Sequence, residues 1–214
     1  SQTEFRPLPL TDQCSMSHQP DWSFDGTRIA FNGMCNDAAG LYSIAPDGTG
    51  LTLIIDEGEY PRWSSDDTQV FYTMPKPTSN STFQIVPTDL KVMGLQSNPT
   101  PQILTTKIQG RGGVTIQPEA QSFFAHHGKY LRRISVQTPD AIENIQASVY
   151  FAPHTQLDWL PQSGRIAFLG TDIIGDRDTR YILYSMLPDG TELVRHSIDM
   201  DVVAFDWHRD PRRK

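Results

Sequence analysis

Two ten-residue stretches of the chain share one pattern, WSFDGTRIAF at Trp22–Phe31 and WLPQSGRIAF at Trp159–Phe168. The phrases Leu-Tyr-Ser and Pro-Asp-Gly-Thr then follow each stretch, beginning at Leu41 and at Leu183. Short apolar runs broken by Asp-Gly, Ser-Gly and Pro-Asp-Gly are typical of β-hairpins, whose tight turns need residues that tolerate positive φ. The chain is therefore expected to be an array of repeated β-sheets.

Further copies of the pattern become visible because an apolar triplet begins seven residues after an anchor position. The anchors are Trp22, Trp63, Ile116, Trp159 and Trp207. Their spacing of about 40–50 residues is the length of a four-stranded propeller blade. No stretch has an apolar stripe at helical spacing. The sequence thus predicts an all-β fold, a β-propeller of four-stranded antiparallel blades with four full blades and a partial fifth.

We expect a single propeller domain over residues 1–214. The predicted blades lie near 18–57, 59–106, 112–149 and 155–198, and the partial blade is formed from 1–11 and 201–210. A large aromatic side chain at the anchor would bury about 150–250 Å² between neighbouring blades. The expected wedges between blades are Trp22, Trp63, Trp159 and Trp207.

The repeat resembles that of the TolB family of β-propellers, whose blades read approximately Pro-x-Trp-Ser-Pro-Asp-Gly-x-x-Ile-Ala-Phe with WD-repeat-like Asp-Gly turns. The matching residues are Pro20, Trp22, Ser23, Asp25, Gly26, Ile29, Ala30 and Phe31, and then Pro61, Trp63, Ser64 and Asp66. The resemblance covers about residues 18–210. It implies the fold more than the function, because the matching residues form turns and wedges. Similar repeats occur in the propellers of prolyl-oligopeptidase-type peptidases.

The last blade is incomplete in the sequence. Residues 5–11 read as an outer strand and residues 202–207 as an inner strand, but the two strands between them are missing. Three alternatives stay open: a fragment of a longer propeller, a small propeller with a short last blade, or an arc completed by another chain. Unpaired strand edges attract partners, so we expect a protein partner that covers the incomplete fifth blade.

Composition narrows the classes of function. The chain has 214 residues and a formal net charge of −7, which argues against a broad electrostatic surface for nucleic acid. No apolar run approaches the length needed to span a membrane. We therefore expect neither nucleic acid as a partner nor a membrane span.

The two cysteines, Cys14 and Cys35, lie on either side of the first predicted hairpin. The expected hairpin register places residue 16 opposite Cys35, with Cys14 diagonally within reach. We predict a disulfide between them, although two buried free thiols remain an alternative. A disulfide indicates an oxidising compartment, either the periplasm or the extracellular space.

The sequence contains no Gly-x-Ser-x-Gly elbow, His-Glu-x-x-His pair or glycine-rich phosphate loop. We therefore predict no catalytic residues, no metal site and no cofactor. The connections from the outer strand of one blade to the inner strand of the next should converge on one mouth of the central channel. The candidate binding residues there are His18, Glu59, Arg111, His154 and Asp201.

These observations favour a noncatalytic protein-binding or scaffold propeller of the cell envelope or the extracellular space, acting as a subunit of a larger assembly. The alternative from the enzyme class is the substrate-gating propeller of a prolyl-oligopeptidase-type peptidase. A third class, a metal-bearing propeller that processes polyuronates, would need clustered His and carboxylate ligands in the channel.

Overall fold

The computed structural model describes residues 10–76, 87–95, 100–109, 114–117, 122–127, 129–152, 155, 157–174 and 178–196. All regular elements in these ranges are β-strands, which form four antiparallel sheets arranged as a propeller. This confirms the predicted all-β fold with four full blades. The residues assigned to the partial fifth blade, including Trp207, lie almost entirely outside the described ranges.

The first two blades are regular meanders, with strands paired in chain order. The first blade consists of β1 (Cys14–Trp22), β2 (Ile29–Cys35), β3 (Ala38–Ile44) and β4 (Thr52–Ile55). The second consists of β5 (Glu59–Trp63), β6 (Gln69–Pro75), β7 (Pro87–Gly94) and β8 (Gln102–Gln109).

The third blade is another meander, and the fourth carries one additional short strand. The third blade consists of β9 (Val114–Gln117), β10 (Ser122–His127), β11 (Tyr130–Ser135) and β12 (Ile142–Gln146). The fourth consists of β13 (Tyr150–Phe151), β14 (Leu157–Leu160), β15 (Arg165–Ile174), β16 (Asp178–Met186) and β17 (Val194–Arg195), with both β13 and β14 paired to β15.

The seven-residue offset seen in the sequence is the register of the first hairpin in each blade. In all four blades the anchor residue lies directly opposite the first residue of the apolar triplet. The four pairs are Trp22 with Ile29, Trp63 with Val70, Ile116 with Phe123, and Trp159 with Ile166. A fixed register keeps the same alternate residues on the buried face of every inner hairpin.

A carboxylate fixes the turn that follows the anchor. Asp25 Oδ1 accepts hydrogen bonds from Ser23 Oγ at 2.8 Å and from the backbone N–H of Thr27 at 2.9 Å. Asp66 repeats this arrangement in the second blade, where it accepts from Ser64 Oγ at 2.6 Å and from Thr68 N at 3.1 Å. Short polar side chains that bond to nearby backbone groups favour tight turns, which explains this part of the repeat.

The inner strand of the first blade contains two bulges that the sequence did not predict. The pairing with β2 shifts between Cys14 and Met16 and again between His18 and Asp21, and Gln19 within the second shift has φ 56°. The second blade shows one such shift, between Glu59 and Arg62. Bulges bend a strand and increase its twist, which suits a strand near a propeller axis.

Cys14 and Cys35 form a disulfide, as predicted, and their Cα atoms are 3.9 Å apart. The two residues are directly paired between β1 and β2. The expected diagonal placement was wrong, because the two bulges together move Cys14 by two positions along β2. The bond joins the end of the first hairpin that is remote from its turn.

Apolar clusters fill the spaces between successive blades. Trp63 and Trp159 are 2% and 5% exposed and pack in clusters that span the interfaces between the first and second blades and between the third and fourth. Both residues therefore lie where the predicted wedges were placed, each facing the blade that precedes its own.

Trp22 differs from this expectation, since its side chain is 37% exposed. Asp21 and Ala30, which are paired, contact the second blade, so the adjacent pair of Trp22 and Ile29 faces away from it. By the same rule as the other anchors, Trp22 faces the preceding blade. No described residues form a blade on that side, so the wedge role of Trp22 stays a prediction.

Candidate functional site

Arg62 is the largest charged side chain in the interior, and only 1% of it is exposed. It lies on β5, the inner strand of the second blade, immediately before the anchor Trp63. Burying a guanidinium is costly unless its donors are all engaged. The partners of Arg62 therefore indicate what occupies the centre of the propeller.

The Arg62 guanidinium contacts the inner strands of the other three blades. Nε donates to the carbonyl oxygen of Val114 at 2.8 Å, and Nη2 donates to the carbonyl oxygen of Leu157 at 3.0 Å. Nη1 lies 3.5 Å from Asp21 Oδ1. Since these partners belong to the third, fourth and first blades, Arg62 lies on the common axis and connects all four.

The residues that precede the other anchors are also polar and buried. Asp21, Thr115 and Asp158 are 6%, 0% and 4% exposed. Asp21 Oδ2 additionally accepts a hydrogen bond from the backbone N–H of Trp63 at 2.9 Å. The side chains that directly precede the four anchors are therefore all polar and buried, and we call them the axial polar cluster: Asp21, Arg62, Thr115 and Asp158.

Sequence reasoning missed this cluster. The one available signal was position, because the residue before the anchor is Asp, Arg, Thr or Asp in the four full repeats, at a place flanked by apolar residues. The acceptors of Arg62 are backbone carbonyls, which leave no trace in the sequence. Only the assembled blades show that this arginine is central.

Two of the predicted mouth residues fall within the described ranges. His18 is exposed and Glu59 is partly buried, and both lie in inner strands, β1 and β5, instead of in the connecting loops. Each precedes its anchor by four positions, so the two occupy equivalent places in neighbouring blades. Arg111, His154 and Asp201 lie outside the described residues. A binding role for these five residues stays a prediction.

Polar contacts hold the first and second blades together near His18 and Glu59. The side-chain oxygen of Gln19 accepts from the backbone N–H of Tyr60 at 2.9 Å, and Asn32 Nδ2 donates to the Gly58 carbonyl at 2.7 Å. Glu57 accepts from Lys91 Nζ at 2.6 Å and from the Tyr72 hydroxyl at 3.0 Å. The bond from Lys91 holds the pKa of the Glu57 carboxyl below its usual value, whereas burial raises the pKa of Tyr72.

A serine and a histidine lie in contact in the fourth blade. Ser185 Oγ is 2.8 Å from His196 Nε2, and Arg165 Nε donates to the same hydroxyl at 3.0 Å. Burial lowers the pKa of His196, which favours the neutral ring. However, Ser185 is only 1% exposed, so a substrate cannot reach this hydroxyl. The contact is structural and joins the outer strands of the blade.

The same arginine–serine contact occurs in the first blade, which supports this interpretation. Arg28 donates from Nη2 to Ser43 Oγ at 2.7 Å. Arg28 and Arg165 occupy the same position of the repeat, six residues after their anchors. A contact that recurs in two blades with different surroundings belongs to the fold.

The described residues contain no group of three or more His, Cys, Asp or Glu side chains placed to hold a metal ion. Within the same ranges, no helix has the length and apolar character needed to cross a membrane.

These features define the class of protein. Four antiparallel meanders stand side by side, and their inner strands meet at the axial polar cluster, which is the arrangement of a β-propeller. No family model matches the chain, and no curated protein matches it.

Solved structures connect this propeller with the TolB fold. A protein assigned as TolB from Agrobacterium tumefaciens superposes with a TM-score of 0.64 at 19% identity, over 86% of this chain and 66% of that one. TolB from Acinetobacter baumannii gives 0.63 at 11% identity, over 87% of this chain and 45% of the other. An acylaminoacyl peptidase from Pyrococcus horikoshii gives 0.51 at 13% identity, over 86% and 32%.

The chain therefore has a TolB-like propeller fold. It spans about two thirds of the length of the first TolB protein and less than half of the length of the second. At such identities the similarity concerns the fold alone. Propellers of this kind occur both in TolB proteins and in enzymes.

Proposed function

We propose that the protein is a noncatalytic protein-binding or scaffold propeller of the cell envelope or the extracellular space, and a subunit of a larger assembly. The observation that carries this proposal is the axial polar cluster. Arg62 is buried and bonded to the inner strands of the other three blades, so its guanidinium occupies the axis at this level. Recognition then takes place on the outer surfaces, including the mouth near His18 and Glu59.

Two further observations support the location. The disulfide between Cys14 and Cys35 is of the kind that persists in oxidising compartments. The TolB-like fold agrees with a role in the envelope. The partner would also cover the fifth blade that the sequence predicts to be incomplete, at residues 1–11 and 201–210.

The test of this function is to isolate the protein from its native source without denaturation and to measure the mass of the intact complex by native mass spectrometry. The expected result is a stoichiometric complex with at least one other protein. A chain that is monomeric in native extracts and in crosslinked cells would contradict the proposal.

The similarity to the acylaminoacyl peptidase propeller supports one alternative, the substrate-gating propeller of a prolyl-oligopeptidase-type peptidase. In that case the gene would also encode an α/β-hydrolase domain with a Gly-x-Ser-x-Gly elbow. The Arg62 guanidinium on the axis weighs against this alternative, because a gate must let substrate pass. Sequencing of the complete transcript distinguishes the two.

A further inference from the structure

A groove of about 460 Å³ lies between the first and second blades. It lies at the end of the blades where β1 turns into β2 and β5 turns into β6, which is opposite to the mouth that carries His18 and Glu59. Its chemical character is set by the side chains of Asp25, Arg28, Ile54, Trp63, Asp67 and Leu95. Its volume falls within the range of about 300–1,000 Å³ that is usual for binding pockets.

The two walls of the groove are held together by one carboxylate. Asp67, on the second blade, accepts hydrogen bonds from the backbone N–H groups of Phe24 at 2.7 Å and Asp25 at 2.9 Å, both on the first blade. The groove is therefore formed before any ligand arrives. A preformed site loses less conformational entropy on binding.

Apolar side chains form the outer part of the groove. Leu95, directly after β7, is 39% exposed. Beside it the groove is lined by the partly buried Ile54 and the buried Trp63. Leu53 of β4 is paired with Tyr42, which belongs to the cluster on the other face of the first blade, so the Leu53 side chain points away from the groove. Apolar side chains that are exposed along a concave surface are typical of interaction sites.

The inner end of the groove is anionic. Hydrogen bonds from Thr27 and Ser23 lower the pKa of Asp25, so its carboxylate stays charged, and Asp67 lies beside it. Among the described residues, neither carboxylate has a cationic partner within salt-bridge distance. Arg28 also lines the groove and keeps its positive charge, because its Nε and Nη2 are bonded to the neutral Ser43 hydroxyl and Gly50 carbonyl. Two carboxylates and one guanidinium leave this end with one net negative charge, so charge complementarity favours a basic group there.

We propose that this groove binds an extended segment of a protein partner. An aliphatic side chain of the segment lies against Ile54 and Leu95, and a lysine or arginine side chain binds beside Asp25 and Asp67. This inference rests on the proposed protein-binding function and assigns that function a surface between two blades, separate from the channel mouth.

The test uses the full chain labelled with ¹⁵N and two probe peptides, acetyl-Lys-Leu-Lys-Leu-amide and its acidic counterpart acetyl-Glu-Leu-Glu-Leu-amide. The expected result is saturable shifts of the amide signals of Ile54, Asp67, Gly94 and Leu95 with the basic peptide alone. Added salt should weaken this binding because the charges are exposed.

The variant Leu95→Asn should weaken the binding about tenfold. The matched control is Ile103→Asn, since Ile103 is 57% exposed on β8 outside the groove, and it should bind the peptide normally. Circular dichroism confirms that all variants fold.

Three results would overturn the groove proposal: no shifts with the basic peptide, equal shifts with the acidic peptide, or unchanged affinity in Leu95→Asn. Shifts that fall at His18 and Glu59 instead would reject the groove but leave the protein-binding function intact. Failure of the native complex measurement described above would reject the function itself.

Discussion

The interface between the first and second blades and the interface between the third and fourth have the same architecture and different chemistry. In the first, the Trp63 indole N–H donates to the Asp21 carbonyl at 3.1 Å, and Asp67 spans the gap to two backbone amides. In the second, Trp159 lies in a cluster of twelve buried residues, and its indole nitrogen has no hydrogen-bond partner among the described residues.

This difference shows that the repeat determines the blade more strongly than it determines the contact between blades. The anchor, the register and the turn recur within the blades. Between blades, one interface uses carboxylates that accept backbone hydrogen bonds, and the other uses aromatic and aliphatic packing. The two interfaces should consequently respond differently to mutation, salt and acid.

The largest loss of stability is expected at Arg62, which takes part in the polar interface between the first and second blades and also contacts the fourth blade. Arg62→Met removes the cation beside the buried Asp21 carboxylate and the donors to three carbonyls, those of Pro61, Val114 and Leu157, so the free energy of unfolding should fall by about 3–5 kcal/mol. Urea denaturation measures this loss.

The control is Arg133→Met, because the ion pair of Arg133 with Glu143 is long, at 4.0 Å, and exposed. Its cost should stay below about 1 kcal/mol. Adding Asp21→Asn to Arg62→Met should restore part of the stability. Equal losses for the two arginine variants would show that the axial polar cluster is not a central contact.

The apolar interface should give the next largest effect. Leu131 is fully buried in the cluster between the third and fourth blades, so Leu131→Ala should cost about 2–5 kcal/mol. The loss should be the same at low and high salt, because no charge is involved. Leu53→Ala, at a 47% exposed position, should change stability by no more than about 0.5 kcal/mol. A salt-dependent loss for Leu131→Ala would contradict the apolar description of this interface.

Asp67→Asn should have a smaller effect, of about 1 kcal/mol, since the amide keeps one acceptor oxygen for the two backbone donors and the site is partly exposed. Hydrogen exchange should report faster exchange of the Phe24 and Asp25 amides. Asp37→Asn is the control, because Asp37 is exposed in a turn with φ 62°, which asparagine also tolerates. Unchanged exchange at Phe24 would mean that Asp67 does not hold the two blades together.

The smallest effect concerns acid. Hydrogen bonds, chiefly from the Thr27 backbone, lower the folded-state pKa of Asp25 below 3.8. Its contribution to stability is therefore complete above the unfolded pKa and is lost as the pH falls through the folded one. Burial raises the pKa of Asp67, so acidification relieves the cost of its charge and acts with the opposite sign.

Asp25→Asn should accordingly flatten the decline of the urea midpoint when the pH is lowered from about 6 to about 3. Asp67→Asn should not flatten it. If both variants had the same pH dependence as the unmodified chain, the turn carboxylates would not contribute to acid sensitivity.

The sequence predicted features within a blade better than it predicted the contacts between blades. The first hairpin of each blade depends on local features, such as the seven-residue offset and the Ser-x-Asp turn, so its position and register followed from Trp22–Phe31 and its copies. The disulfide followed from the same register, although the bulges in β1 changed the alignment of Cys14 with Cys35.

Features that depend on several blades could not be predicted from local sequence patterns. The acceptors of Arg62 are carbonyl oxygens 52 and 95 residues away, and backbone atoms are the same for every residue type. The exposure of Trp22 likewise depends on which residues pack against it, whereas its motif is the same as that of the buried Trp159.

In solenoid repeat proteins each repeat contacts only its neighbours, so stability is approximately a sum of repeat and nearest-neighbour terms. Arg62 breaks that rule, because one side chain of the second blade is bonded to the first, the third and the fourth. Local unfolding of the fourth blade alone would already remove the Leu157 carbonyl, which accepts the hydrogen bond from Arg62 Nη2. The four blades are thus expected to unfold as one cooperative unit, and a blade cannot be deleted or exchanged without a cost at the centre.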